Sequence, residues 1–189
     1  VETKGIDVVL SHSLQNDKFS LTNDFAFNLT QTRKVGDIHT PRAIKAAGLE
    51  EKFFSERSRV LLEEVIPRFK ATLSHNLTIG KWNGYLRNTY YGKATGPDII
   101  RTADQVGDFV FDQWGHQVIR GKIITDLSIA YNFTPKTSFT LGVNNLFDLY
   151  PEKNVKVNNN NDQFVYSRAT SQFGLNGRYV FARATFHLF

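Results

Sequence analysis

The chain has 189 residues, with 23 Lys and Arg against 18 Asp and Glu, a formal net charge of +5 and a pI near 9.4. It contains no Cys, which excludes a disulfide scaffold and thiolate metal centres. No stretch approaches the roughly 18 apolar residues of a membrane helix, and the mean hydropathy is slightly polar at -0.33.

Apolar and polar residues alternate from the start, the period of a strand with one greasy and one wet face. From about Gly5 to Leu14, Ile6, Val8, Leu10 and Leu14 share a side. From about Phe19 to Thr32, Phe19, Leu21, Phe25, Phe27 and Leu29 oppose Ser20, Thr22, Asp24, Asn28 and Thr30. In the connection that follows, Thr40-Pro41 predicts a helix start, with a hydroxyl N-cap and Pro at the first helical position, and Gly48 predicts a break. A third segment, about Pro67 to Asn76, sets Phe69, Ala71 and Leu73 against Arg68, Lys70, Thr72 and Ser74; a fourth, Trp82 to Lys93, alternates poorly.

Thr95 to Gln117 reads as a long loop carrying Asp98, Asp104, Asp108, Phe109, Phe111, Asp112, Trp114 and His116. From about Ile119 to Phe133, Ile119, Gly121, Ile123, Thr125, Leu127, Ile129, Tyr131 and Phe133 oppose Arg120, Lys122, Ile124, Asp126, Ser128, Ala130 and Asn132. After a turn at Thr134, Pro135 and Lys136, Phe139, Leu141, Val143 and Phe147 oppose Ser138, Thr140, Gly142 and Asn144, and Asp148 and Pro151 are expected to stop the strand. The last segment runs from about Tyr179 to the end, with Val180, Ala182, Ala184, Phe186 and Leu188 on one face.

Soluble strands average only about 5 or 6 residues, whereas a strand crossing a bilayer at a tilt needs about 9 to 11. The predicted fold class is therefore all-β, an antiparallel transmembrane β-barrel segment of about seven long strands. Short and long connections alternate strictly, as periplasmic turns and extracellular loops do in outer-membrane barrels. An odd strand count with two open edges would leave backbone groups unpaired in hydrocarbon. The first strands are thus expected to lie upstream of Val1, in keeping with the absence of Met and of a leader pattern.

Aromatic residues gather at segment ends, Phe19, Trp82, Phe133 and Phe139 near the short turns and Tyr90, Tyr91, Phe147 and Tyr179 near the long loops, as interfacial girdles do. Arg68, Lys70, Arg87, Lys122, Asp126, Asn132 and Asn144 are expected to face the lumen.

For a ligand, the candidates are Asp108, Phe109, Phe111, Asp112, Trp114 and His116: exposed rings beside polar groups suit ligand contact, and rings also pin long loops to a rim. Asn158 to Asp162 offers oxygens that could take Ca²⁺, or simply a polar loop tip. His12, His39, His75, His116 and His187 are scattered, three Asn-x-Thr sequons (Asn28, Asn76, Asn132) sit at polar strand faces, and no catalytic or phosphate-binding motif occurs. The chain is expected to be no enzyme and to need no metal or cofactor. Its positive charge is dispersed, so attraction to anionic lipopolysaccharide serves as well as a nucleic-acid reading, and no nucleic-acid partner is expected.

Two motifs carry a resemblance. Asn144-Asn145-Leu146-Phe147-Asp148 followed by Pro151, and Phe173-Gly174-Leu175-Asn176-Gly177-Arg178-Tyr179 leading into the last strand, resemble the C-terminal part of TonB-dependent outer-membrane receptors. Gly174 and Gly177 are read as turn residues. Weaker echoes are Gly5-Ile6-Asp7, Pro67-Arg68 and Tyr90-Tyr91-Gly92. The resemblance implies that residues 1–189 are the C-terminal portion of a barrel of roughly 22 strands whose plug is absent from this chain. It also implies a Gram-negative outer-membrane location and partners in the remaining barrel, the plug, TonB, the barrel-assembly machinery, lipid and lipopolysaccharide. The family's terminal assembly signal has aromatics at the last position and two before it; here Phe189 is terminal but His187 takes the second slot, while Phe186 and Leu188 continue the apolar row.

The implied function is energy-coupled import of a scarce nutrient such as a siderophore, haem, cobalamin, glycan or peptide. The alternatives are a passive porin-like channel and a soluble β-sandwich binding module.

Overall fold

A computed structural model describes residues 1–99, 109–159, 163–170 and 172–187. Its main element is a seven-stranded antiparallel sheet in which each strand pairs with its successor in the sheet. The strands are β1 (Glu2–Gln15), β2 (Phe19–Arg33), β3 (Phe69–Ile79), β4 (Trp82–Tyr91), then β8 (Lys122–Thr134), β9 (Thr137–Asn144) and β10 (Tyr179–Phe186), in the order β1-β2-β3-β4-β8-β9-β10. Mostly antiparallel β structure is as the alternation predicts.

Three tight turns join β1 to β2, β3 to β4 and β8 to β9. Asn16 closes the first, its side-chain oxygen accepting the backbone N–H of Lys18 at 2.8 Å and of Phe19 at 3.0 Å. Gly80 supplies φ +56 in the second. In the third, the Lys136 N–H donates to the Thr134 hydroxyl at 3.2 Å.

Cross-strand register sorts the side chains into two faces. On one, Asp7 faces Asn28, Ser11 faces Asp24, Ser74 faces Arg87 and Arg87 faces Asp126. Hydrogen bonds run along these rows: Asn28 to Asp7 at 2.6 Å, Ser11 to Asp24 at 2.7 Å and Asn83 to Thr78 at 2.9 Å. On the other face Val8 meets Phe27, Leu10 meets Phe25, Ile129 meets Leu141 and Leu141 meets Ala182. Rings cluster near both ends of this apolar face, Trp82–Tyr131–Phe133 at the short-turn end (4.7 and 4.9 Å) and Phe27–Phe69–Tyr90 at the other (4.9 and 5.4 Å).

The apolar face is bare. Ile123 is 53 % exposed, Ile129 50 %, Leu141 55 % and Val180 65 %. The buried apolar side chains among the described residues are Val60, Val65, Ala94, Pro97, Ile119, Pro151, Val155 and Ile124, and only Ile124 belongs to the large sheet. The packed core therefore lies in the long connections.

Those connections carry their own structure. Between β2 and β3 come α1 (Arg42–Ala46), α2 (Glu50–Phe53) and α3 (Glu56–Glu63), the last capped by Ser55, whose hydroxyl accepts the Ser58 N–H at 3.3 Å. Between β4 and β8 a second antiparallel sheet forms from β5 (Ala94–Ile99), β6 (Val110–Phe111) and β7 (His116–Ile119), in the order β5-β7-β6. A 3₁₀ turn, Lys156–Asn158, lies between β9 and β10.

Several expectations are corrected. Thr95 to Gln117 is partly sheet rather than open loop, and Ile119 belongs to β7, where it is 2 % exposed; the long strand β8 begins at Lys122. Helix α1 has Pro41 at its N-cap with no side-chain cap, one residue later than Thr40-Pro41 suggested, while Gly48 (φ +63) does interrupt the helical run. Tyr91 lies on the polar face opposite Lys122, with Lys70 5.2 Å above its ring, so it joins no apolar-face cluster.

Gly142 faces Phe181 across the β9–β10 ladder, and a Cβ there would run into the Phe181 ring. Gly142→Val is expected to cost about 1 to 3 kcal/mol of stability by overpacking, read from urea unfolding, and less in a Phe181→Ala background. Equal costs in both backgrounds would mean the ring does not occupy that space.

Candidate functional site

The two motif halves form a clasp at the long-connection end of the sheet. Strand β9 ends at Asn144 because Asn145 takes φ 52, a left-handed conformation that Asn tolerates. This stops the strand before Phe147, Asp148 and Pro151, a correction to the expected stop. The buried Asn145 N–H donates to Asp126 Oδ1 at 2.8 Å, its side-chain NH₂ donates to the Leu149 carbonyl at 2.7 Å, and its Oδ1 accepts the Leu149 N–H at 2.9 Å. The Leu146 N–H donates to the Thr125 carbonyl at 2.7 Å.

Asp126 ties this turn to the sheet, since its Oδ2 accepts Arg87 Nε at 2.9 Å and Nη2 at 2.6 Å. Asp148, at φ 56, accepts the Arg178 N–H at 2.7 Å, which brings the second motif half onto the first. Gly177 has φ +66, and a Cβ there would meet Tyr150 and Asp148; Gly174 stands in open space without a left-handed φ. Phe147 and Tyr179 remain 62 % and 61 % exposed, and Pro151 is buried.

The ligand candidates separate. Asp112 is engaged in its own hairpin, its Oδ1 accepting the N–H of Trp114 at 2.9 Å and of His116 at 2.8 Å. Trp114 stands at the tip, 59 % exposed, with Gly115 at φ 84 behind it. Phe109 and Phe111 are half-buried, and Asp104 and Asp108 lie outside the described residues. His116 is completely buried, its Nε2 3.6 Å from Glu56 Oε1, and among the described residues neither ring nitrogen has a hydrogen-bond partner. Among the described candidates Trp114 is the most exposed, with Phe109 and Phe111 half-buried.

Arg59 organises the layer around His116. Its guanidinium bonds Glu56 at 2.6 Å, Glu63 at 3.0 Å and Glu64 at 2.7 Å. The other Glu64 oxygen accepts the Thr95 hydroxyl at 3.0 Å, and Thr95 N–H donates to the Glu64 carbonyl at 2.9 Å, so α3 docks on β5. Gln117 reaches the third connection, donating to the Lys153 carbonyl at 2.8 Å and accepting the Val155 N–H at 3.2 Å. Gln172 donates back to the Gly92 carbonyl at 2.5 Å and the Arg120 carbonyl at 3.1 Å.

Arg59 holds the Glu56 carboxyl below the usual carboxylate range. Burial pushes Glu64 up, but its bonds from Arg59 and Thr95 outweigh this and leave it lowered too.

No family model and no curated protein matches the chain.

Among the described residues no three His, Cys, Asp or Glu side chains are placed to hold a metal. Asn160, Asn161 and Asp162 of the polar tract lie outside those residues, as do Leu188 and Phe189 of the terminal motif; Phe186 is 66 % exposed on the apolar face. Arg68 precedes β3, its carbonyl accepting the Thr30 N–H at 2.8 Å and its Nε donating to the Glu63 carbonyl at 3.3 Å.

Sequence reading missed a polar interruption of the apolar face. His12, Asn23 and His75 stand in one row, with Asn23 Nδ2 3.3 Å from His12 Nδ1 and Asn23 Oδ1 2.6 Å from His75 Nδ1. The broken alternation at Asn23 was the available signal. Gln172 gave none, because Gly92 and Arg120 lie far from it in sequence, whereas Arg59 stands three and four residues from Glu56 and Glu63 on one helix, a spacing the sequence did offer.

Because the folded-state values of Glu56 and Glu64 are lowered, their contribution is present above the unfolded carboxylate value of about 4.3 and is lost as pH falls through the folded values. Proteolysis of residues 56–64 is expected to rise below that pH. Arg59→Met should bring the same sensitivity at pH 7, where three carboxylates would lack their cation; unchanged resistance would contradict Arg59's role.

Proposed function

We propose that this chain is part of the wall of a TonB-dependent receptor in the outer membrane of a Gram-negative bacterium, importing a scarce nutrient into the periplasm. The observation that carries the proposal is the bare apolar face: across the large sheet, big apolar residues stand exposed while the opposite face carries hydrogen-bonded polar rows. In water such a surface far exceeds the few hundred Å² usual for a monomer. Against hydrocarbon it is stable, provided both sheet edges pair with further strands.

Other features support the reading. Rings stand near both ends of the apolar face, as at membrane interfaces. The short turns share one end and the structured connections the other. His12, Asn23 and His75 spend part of their polarity on one another, as buried polar side chains in lipid do. The clasp residues are those that carry the resemblance, and they have a structural task, holding the last long connection to β4 and β8.

In this role the chain supplies roughly the last third of a barrel of about 22 strands. The polar face lines the lumen against a plug encoded upstream, through which TonB acts. Trp114 and its neighbours stand where cargo arrives, and Phe186 with residues 188–189 serves insertion by the assembly machinery. A porin would share this wall but lack the plug.

In the complete protein folded in phospholipid bilayers, Leu127→Arg is expected to cost about 2 to 4 kcal/mol and Ser128→Arg far less. Equal costs on the two faces would sink the membrane reading. A planar bilayer holding the complete protein should show no steady open conductance, because a plug fills the lumen; a constant large conductance would favour the porin.

A further inference from the structure

Halfway up the apolar face, beside β1, β2 and β3, a short polar row stands where the alternation favours apolar side chains. On β2 the residues turned this way are Phe19, Leu21, Asn23, Phe25, Phe27 and Leu29, so Asn23 lies well inside both ends of the strand. His12 pairs with it on β1 and His75 on β3. Leu14 and Leu77 flank this row on one side, Leu10 and Leu73 on the other. His12 is exposed and Asn23 and His75 are half-buried, so the row is open to whatever covers the face. A second polar pair on this face is closed, since Thr125 is 7 % exposed and donates to the Asn88 side chain at 2.7 Å.

Hydrogen bonding leaves the row with two unlike ends. A neutral imidazole has one N–H donor and one acceptor nitrogen. Asn23 Nδ2 lies 3.3 Å from His12 Nδ1 and can only donate, so that nitrogen accepts and the His12 hydrogen sits on Nε2. Asn23 Oδ1 lies 2.6 Å from His75 Nδ1 and can only accept, so His75 donates there and keeps a lone pair on Nε2. The row therefore offers a donor at its β1 end and an acceptor at its β3 end. Turning the Asn23 amide over exchanges the two ends and leaves them unlike. Among the described residues neither Nε2 has a hydrogen bond, and polar groups unmet in hydrocarbon are costly.

Outer-membrane barrels share one orientation, with short turns on the periplasmic side, so two copies of this wall that face each other are related by a two-fold axis along the membrane normal. That axis exchanges left and right. Placed at Asn23, it sets the His12 donor of each copy against the His75 acceptor of the other, the self-complementarity that an isologous contact requires. We propose that this face pairs two copies of the protein within the membrane, with Asn23 at the axis, two equivalent His12 to His75 hydrogen bonds across it and leucines around them. The proposal rests on the membrane reading and adds a partner to it. Lipid tails carry neither donor nor acceptor and would leave both ends of the row unmet.

The test places the complete protein, labelled with donor or acceptor dye, in phospholipid vesicles and reads energy transfer as the protein is diluted in lipid. His12→Phe and His75→Phe each remove both bonds, so each is expected to raise the dissociation constant about 10-fold, the scale of two such bonds in a bilayer, and the double variant no further. Mixing His12→Phe copies with His75→Phe copies restores one bond, because the intact His75 of the first meets the intact His12 of the second. The mixture is expected to pair more tightly than either variant alone. Leu141→Phe, on β9 of the same face, should pair as the parent does. A monomeric parent, single variants that pair like the parent, or a mixture no tighter than its components would each overturn the dimer. Resistance to alkaline extraction separates the two claims: protein that inserts without histidine-dependent pairing overturns only the dimer, and protein that fails to insert overturns both.

Discussion

Cross-strand register is the constraint on which the sheet depends. Side chains alternate with a period of two, so sliding one strand by a single residue would carry its whole polar row to the apolar face. Here the polar rows are locked by specific pairs: Asp7 with Asn28, Asp24 with Ser11, and Asp126 with Arg87. Each pair adds on the order of 0.2 to 1 kcal/mol, and their larger effect is to make every slipped alignment leave carboxylates unpaired. Tight turns at Asn16, Gly80 and Thr134 hold the same alignment from the ends of the hairpins.

Burial is distributed in an unusual way. A water-soluble sandwich covers its apolar sheet face with a second layer, yet here Ile123 and Leu141 stay open while Val60, Ala94, Ile119 and Val155 pack among the connections. The connections need this core, because a long structureless segment would have to hold itself in place against its own entropy. Arg59 gathers the carboxylates of its own connection, Glu64 docks that connection on Thr95, and Gln117 and Gln172 bond backbone carbonyls of other segments. His116 lies buried within that layer, its Nε2 3.6 Å from Glu56 Oε1.

Much of the strand pattern was legible, with particular exceptions. Ile123, Leu127, Ile129 and Tyr131 line up as their spacing suggested, because alternation is a local property and the ladder preserves it. Ile119 keeps the same spacing yet belongs to the other sheet, since spacing cannot reveal that the chain changes partners near Gly121. His116 looked like an exposed ligand group beside Trp114. Folding the hairpin around Asp112 sent the histidine inward and left the indole outside.

Composition and alternation by themselves determined an antiparallel β chain with long two-faced strands and tight turns between alternate pairs, because those properties depend on residues a few positions apart. Tertiary structure alone decided which connections meet, that Asp126 joins Arg87 to Asn145, that Gln117 bonds Lys153 and Val155, and that Gln172 bonds Gly92 and Arg120. Such contacts join distant parts of the chain, and their partners become neighbours only when strand order and register are in place.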